Sequence, residues 1–152
     1  MIVKLILITF VIVSLINTYL DLKTMHVSIL LNYIGMIICV LLYLIDSPHL
    51  LMNHFLGSII LFLVFILVWI FAHKGIGWGD IHYSLFCGFI SGFPGFIFSG
   101  FMMAVIGLIV FLIIKIISGK KSIKELKIPF VPMMFAGTIF GVIFSDFFMF
   151  LL

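Results

Sequence analysis

Apolar residues run through this chain in long stretches, and polar residues break them at intervals close to the length of a membrane crossing. Ile2 to Leu20 is the first stretch, with Lys4 near its start and Ser14, Asn17 and Thr18 near its end. Asp21-Leu22-Lys23-Thr24-Met25-His26 is the first polar break, and Val27 to Ile45 the second stretch. Asp46-Ser47-Pro48-His49 opens a short loop with turn chemistry. Phe55 to Ala72 is the third stretch, ending at His73-Lys74. Runs of ~20 apolar residues suffice to cross the hydrocarbon core as a helix, so each predicts a transmembrane helix.

From Ile81 to Ile114 no charge appears. That run is too long for one crossing and short for two. Gly92-Phe93-Pro94-Gly95 is its natural break, leaving a short fourth helix, Ile81 to Ser91, and a long fifth, Pro94 to Ile117. Eleven residues rise only ~16 Å, about half the hydrocarbon thickness. Such a helix needs shielding by its neighbours or a thinned bilayer. Ser118 to Lys127 is the hydrophilic loop, and Ile128 to Leu152, reached through Pro129 and Pro132, is the sixth stretch. The pattern predicts an all-α, polytopic integral membrane protein with six transmembrane helices, one domain over residues 1–152.

Composition agrees: 66% of the 152 residues are hydrophobic and 9% charged, which leaves no room for a separate soluble domain. The net charge of +3 comes from eight lysines and no arginine. These lysines flank apolar runs, so they read as topology signals and not as a nucleic-acid surface. With the N-terminus outside, Lys23, Lys74, Lys115, Lys120, Lys121, Lys124 and Lys127 face the cytoplasm and Lys4 alone does not. The positive-inside rule selects that orientation, which places Asp21 and Asp80 at one cytoplasmic edge. Lys4 and the run behind it resemble a signal peptide, but no small-x-small cleavage site follows, which predicts an uncleaved first span. Cys39 and Cys87 stand alone inside apolar runs, so neither a zinc site nor a disulfide framework is expected.

The candidate chemistry lies in Lys74-Gly75-Ile76-Gly77-Trp78-Gly79-Asp80. Glycines let another segment approach closely, and an ionisable residue at a membrane edge marks a functional site by default. The plainer account is a flexible turn with Asp80 capping the next helix. Of the five acidic residues, Asp46 falls in an outer loop, Glu125 among four lysines, and Asp146 near the outer end of the last span. Asp21 and Asp80 share a side and flank spans. Two close carboxylates do not both ionise near neutral pH; one keeps a proton and the other acts as base, activating water against an amide without a metal. Asp21 ends its helix, where carbonyl dipoles disfavour a carboxylate, and Asp80 begins one, where free N–H groups favour it. That contrast predicts the proton on Asp21 and the base at Asp80. His26, His73 and His82 lie at the same edge, but their spacings match no metal-ligand pattern. They read as interfacial donors, Trp78 as an interface anchor, and no cofactor or metal is expected.

Gly77-Trp78-Gly79-Asp80 matches the GxGD signature of membrane aspartyl peptidases, and its setting resembles the type IV prepilin peptidases in particular. Asp21-Leu22-Lys23 is similar to that family's first aspartate with its hydrophobic and basic followers. Ile128-Pro129-Phe130-Val131-Pro132 is similar to the approach to its last span, with Gly137 and Gly141 following as small packing residues. The resemblance covers essentially the whole chain. It implies an aspartic endopeptidase with Asp21 and Asp80 catalytic, supported by Gly77, Gly79, Lys23 and His82. The implied partner is a prepilin or pilin-like precursor, with its leader in the cytoplasm and its apolar helix in the lipid of a prokaryotic cell membrane. The chain departs from the family at Val27-Ser28-Ile29, where an Ile-Pro-Asn-like triplet is usual, and at His82, where a lysine commonly stands. It lacks the CxxC-bearing insertion of the longer members that also methylate, so it resembles a peptidase-only form. Other readings are a preflagellin- or presenilin-like GxGD protease, a small proton-coupled transporter using the same aspartates, and a non-catalytic assembly factor.

Overall fold

A computed structural model of the chain contains six helices: α1 (Ile2–Thr24), α2 (Ile29–Asp46), α3 (Leu51–Phe71), α4 (Trp78–Ser91), α5 (Gly95–Ile117) and α6 (Val131–Leu151). A single 3-10 turn, Pro48–Leu50, leads into α3. The structure describes residues 2–71, 76–117 and 129–151, without the side chains of 115, 117 and 145–151. His73, Lys74, Gly75 and the lysine loop with Glu125 therefore lie outside the described residues, as does the side chain of Asp146. Among the described residues there is no strand.

Four helices are long and apolar enough to cross a membrane: α1, α2, α3 with its leading turn, and α5. The fourth helix is short, as its sequence predicts, at 14 residues. Helix α6 is 21 residues long, and its apolar stretch among the described residues is Val131–Phe144. Boundaries move where capping decides them. The predicted break at Asp21 is instead the last turn of α1, which closes when Met25 takes a left-handed φ of 55° and its N–H reaches the Asp21 carbonyl at 2.9 Å. Helix α3 starts four residues before Phe55, because Pro48 opens a helical turn that runs directly into it. Helix α4 starts three residues before Ile81, because Gly77 is extended and serves as its N-cap.

Consecutive helices pair as three hairpins, α1–α2, α3–α4 and α5–α6, and α4 also packs on α2, α5 and α6. Ten of the 14 residues of α4 are buried, so its neighbours supply the shielding a short helix needs. Close approach makes this possible. A Cβ at Gly88 would lie 2.8 Å from Ser58 Cα, and one at Gly57 would lie 2.7 Å from the Gly88 carbonyl oxygen. Gly137 and Gly141 do the same for α6 against Met103 and Ser99 of α5. Small residues at crossings are how helices associate where lipid is as apolar as the side chains.

The surface is apolar, with Leu15, Ile37, Leu63 and Phe101 exposed, while Ser14, Asn17, Asp21, Asn32, Ser58, Asp80, Ser84 and Thr138 are buried. Polar groups inside and aliphatic groups outside suit a hydrocarbon surround, provided the interior groups find partners. Ser58 donates to the Leu85 carbonyl and Thr138 to that of Met134, each at 2.8 Å.

Candidate active site

One face of α1 is polar and buried. Ser14, Asn17 and Asp21, spaced by three and four residues, are 0%, 0% and 4% exposed. Asn17 fastens the turn after α1: its Nδ2 donates to Asn32 Oδ1 at 2.8 Å, and its Oδ1 accepts the Ser28 N–H at 2.9 Å. Asp21 Oδ2 accepts the N–H of Val131, the first residue of α6, at 3.0 Å. The start of the last helix is thus tied to a carboxylate 110 residues earlier. A helix N-terminus has unsatisfied N–H groups and a partial positive charge, so it suits an anion.

Asp80 is the third residue of α4, and its Oδ2 accepts the Gly77 N–H at 3.2 Å. The capping role is therefore real, but it uses only one oxygen. Oδ1 is buried with no hydrogen-bond partner among the described residues. Gly79 explains its own identity: a Cβ there would lie 2.8 Å from the Cβ of Val27, in the turn that Asn17 fastens. The α1–α2 turn thus lies directly against the residue before Asp80.

The two carboxylates lie toward one end of the bundle. Tyr83, one turn into α4, donates to Ser14 at 2.7 Å, and both side chains are fully buried. From that bond, Asp80 lies ~5 Å back along α4 and Asp21 ~10 Å further along α1, both toward the same end. They are close enough that the Asp21 charge acts on Asp80. Asp80 stands in the first turn of α4, outside the four helices long and apolar enough to cross a membrane. Burial first, and then the charge of Asp21, push its carboxyl from 3.8 up to about 7, against the opposing pull of the Gly77 N–H.

This reverses the proton assignment expected from helix ends. That argument weighs only each aspartate's own helix. Tertiary structure adds the N-terminus of α6 to Asp21, and it withholds a partner from Asp80 Oδ1. Both features favour the proton on Asp80.

Gly77 and Gly79 lie where the sequence suggests, around Asp80. Lys23 and His82 do not join the pair. Each follows its aspartate by two residues, which on a helix is ~200° round, the far side. Lys23 Nζ turns to the hydroxyl and ring of Tyr19. His82 Nδ1 lies 2.9 Å from the Tyr33 hydroxyl, with Trp78 and Phe62 beside the ring. Trp78, half exposed, also meets Trp69 edge-on. His26 is exposed on the turn.

Ser14, Asn17, Asn32, Tyr83 and Val131 support the site without having been singled out from the sequence. The signal for the first two was present: they fall on the Asp21 face at helical spacing. Asn32, Tyr83 and the Val131 N–H become part of the site only through packing between distant segments.

Fold and site together define a helical bundle suited to a membrane, holding two buried, electrostatically linked carboxylates at one end. The chain belongs to the type IV leader peptidase family, whose family model matches residues 7–145. No curated protein and no solved structure matches it.

Proposed function

We propose that the protein is an aspartic endopeptidase that removes the leader of type IV pilin-like precursors at the cytoplasmic face of a prokaryotic cell membrane. The observation that carries this reading is the burial of Asp21 and Asp80 at one end of the bundle, each held by a backbone N–H from a helix start. Membership of a leader peptidase family supports the peptidase class; the GxGD spacing and the lysine bias support the aspartic mechanism and the cytoplasmic side.

In this cycle Asp80 supplies the proton and Asp21 acts as the base. Asp21 takes a proton from water as that water attacks the scissile carbonyl carbon, and Asp80 gives its proton to the carbonyl oxygen. The proton gained by Asp21 then passes to the leaving amine as the C–N bond breaks, while a hydroxyl of the tetrahedral intermediate returns its proton to Asp80. Lys23 and His82, facing away, serve the membrane boundary and helix packing instead of the chemistry.

The test is co-expression with a pilin-like precursor, reading the mature band on a gel. Asp21→Asn and Asp80→Asn should each abolish processing at normal membrane levels. The double variant should be no worse than either single one, because residues acting as a unit are not additive. Substantial cleavage by either single variant would refute the two-aspartate mechanism.

A further inference from the structure

At the end of the bundle away from the carboxylates, a cavity of about 580 Å³ opens around the last turn of α4. Its origin lies in helix lengths. Helix α1 has 23 residues and α4 has 14, so α4 stops ~14 Å short of its neighbour's length. Gly92, at φ 62°, turns the chain and α5 begins at Gly95. Among the described residues no helix fills the space beyond Ser91. Val3 and Leu7 of α1, Ile97 of α5 and Val142 of α6 wall it, and Ile90 and Phe93 close its floor.

Two features specify the occupant. The first is the mouth. Val3 of α1 and Ile97 of α5 both line the cavity and are both 54% exposed, so its lining reaches the apolar outer surface. The surface on either side, Ile8 on α1 and Phe101 on α5, is exposed and apolar, continuous with the faces suited to hydrocarbon. The second is a polar end. Asn53 and His54, from the first turn of α3, line the cavity near the 3-10 turn. His54 Nδ1 lies 2.6 Å from the Phe89 carbonyl oxygen, which can only accept. Nδ1 therefore carries the hydrogen, and Nε2 of the neutral ring is an acceptor. No second hydrogen bond engages His54 among the described residues.

We propose that this cavity is a phospholipid site. An acyl chain enters between α1 and α5 and occupies the apolar part, and a headgroup hydroxyl or ammonium donates to His54 Nε2. The volume is within the usual range for small-ligand pockets, ~300–1,000 Å³. The inference does not depend on peptidase activity; it rests on the bundle lying in a bilayer.

The experiment reconstitutes the full chain in liposomes of phosphatidylethanolamine and phosphatidylglycerol with a trace of phospholipid bearing a diazirine in one acyl chain. Adducts are mapped by mass spectrometry. They should concentrate at residues 3–7 and 90–98, relative to the lipid-facing Leu112 and Ile113. Val3→Trp with Ile97→Trp, both at exposed positions, should remove most of that enrichment. His54→Phe should lower co-purified phospholipid several-fold by native mass spectrometry, and His54→Gln, which keeps an acceptor, should restore much of it. Gel filtration checks folding of each variant. Adducts spread evenly over the lipid-facing helices, or enrichment unchanged by the tryptophan pair, would overturn the proposal. So would reaction of an Ile97→Cys variant with an impermeant maleimide, which would mean a water-filled cavity. Cross-linked dimers through that cysteine would assign the mouth to a second copy and likewise overturn it.

Discussion

Gly79→Ala tests how tightly the α1–α2 turn holds Asp80 in place. The new Cβ would sit 2.8 Å from Val27 Cβ, 3.3 Å from Val27 Cγ2 and 3.4 Å from the Val27 carbonyl oxygen. Carbon atoms rest at ~3.5–4.0 Å, so roughly 0.7–1.2 Å must open. Rotating the valine does not relieve the worst contact, because Cβ is fixed to the backbone. The turn is itself held, through the Ser28 N–H on Asn17 and the Leu31 N–H on Ser28 Oγ. The displacement therefore falls in part on the backbone of Asp80. Overpacking of this kind destabilises by ~1–3 kcal/mol, and a 1 Å misplacement of a reacting group lowers the rate ~100-fold. The assay is processing of a pilin-like precursor by purified enzyme in detergent, beside thermal unfolding of the same sample. Adding Val27→Gly removes the opposing Cβ and should recover much of the lost rate. Parental activity in Gly79→Ala, or no recovery in the double variant, would show that Val27 does not position Asp80. Gly77→Ala makes a useful contrast: its Cβ would meet Asp80 Oδ2 at 3.0 Å, the end of a side chain that can turn, so its effect should be smaller.

Asp80, raised to about 7 in the folded protein, binds its proton more tightly there than in the unfolded chain, where the value is 3.8. That contribution to stability is complete below about pH 3.8 and lost as pH rises through about 7, so Asp80→Asn should flatten the decline in melting temperature over that interval. An unchanged slope would place the titration elsewhere. Tyr83→Phe leaves Ser14 buried without its donor and should destabilise by ~1–3 kcal/mol, read by denaturation in detergent; a neutral result would mean that Ser14 finds another partner. Chelators should leave precursor processing unchanged, since the proposed water is activated by a carboxylate; inhibition reversed by added zinc would reopen a role for the histidines.

Hydropathy alone determined much of the architecture. The helices and their order follow from apolar runs, and the short α4 from the Gly-Phe-Pro-Gly break, because backbone groups in an apolar surround must be satisfied within each helix. Asp21 and Asp80 were legible too, since few ionisable residues interrupt such runs. What they do to each other was not. Proton placement depended on the Val131 N–H arriving at Asp21 and on Asp80 Oδ1 being left unpartnered, both products of packing between segments far apart in sequence. Lys23 and His82 face away from the aspartates because neighbours in sequence are not neighbours on a helix: two residues on is the opposite face. The reason Gly79 must be glycine came from Val27, 52 positions away and on another hairpin. Local periodicity determines which residues form a helix and which share its face; only the tertiary structure decides what that face meets, because a side chain's partners are set by the helices packed against it.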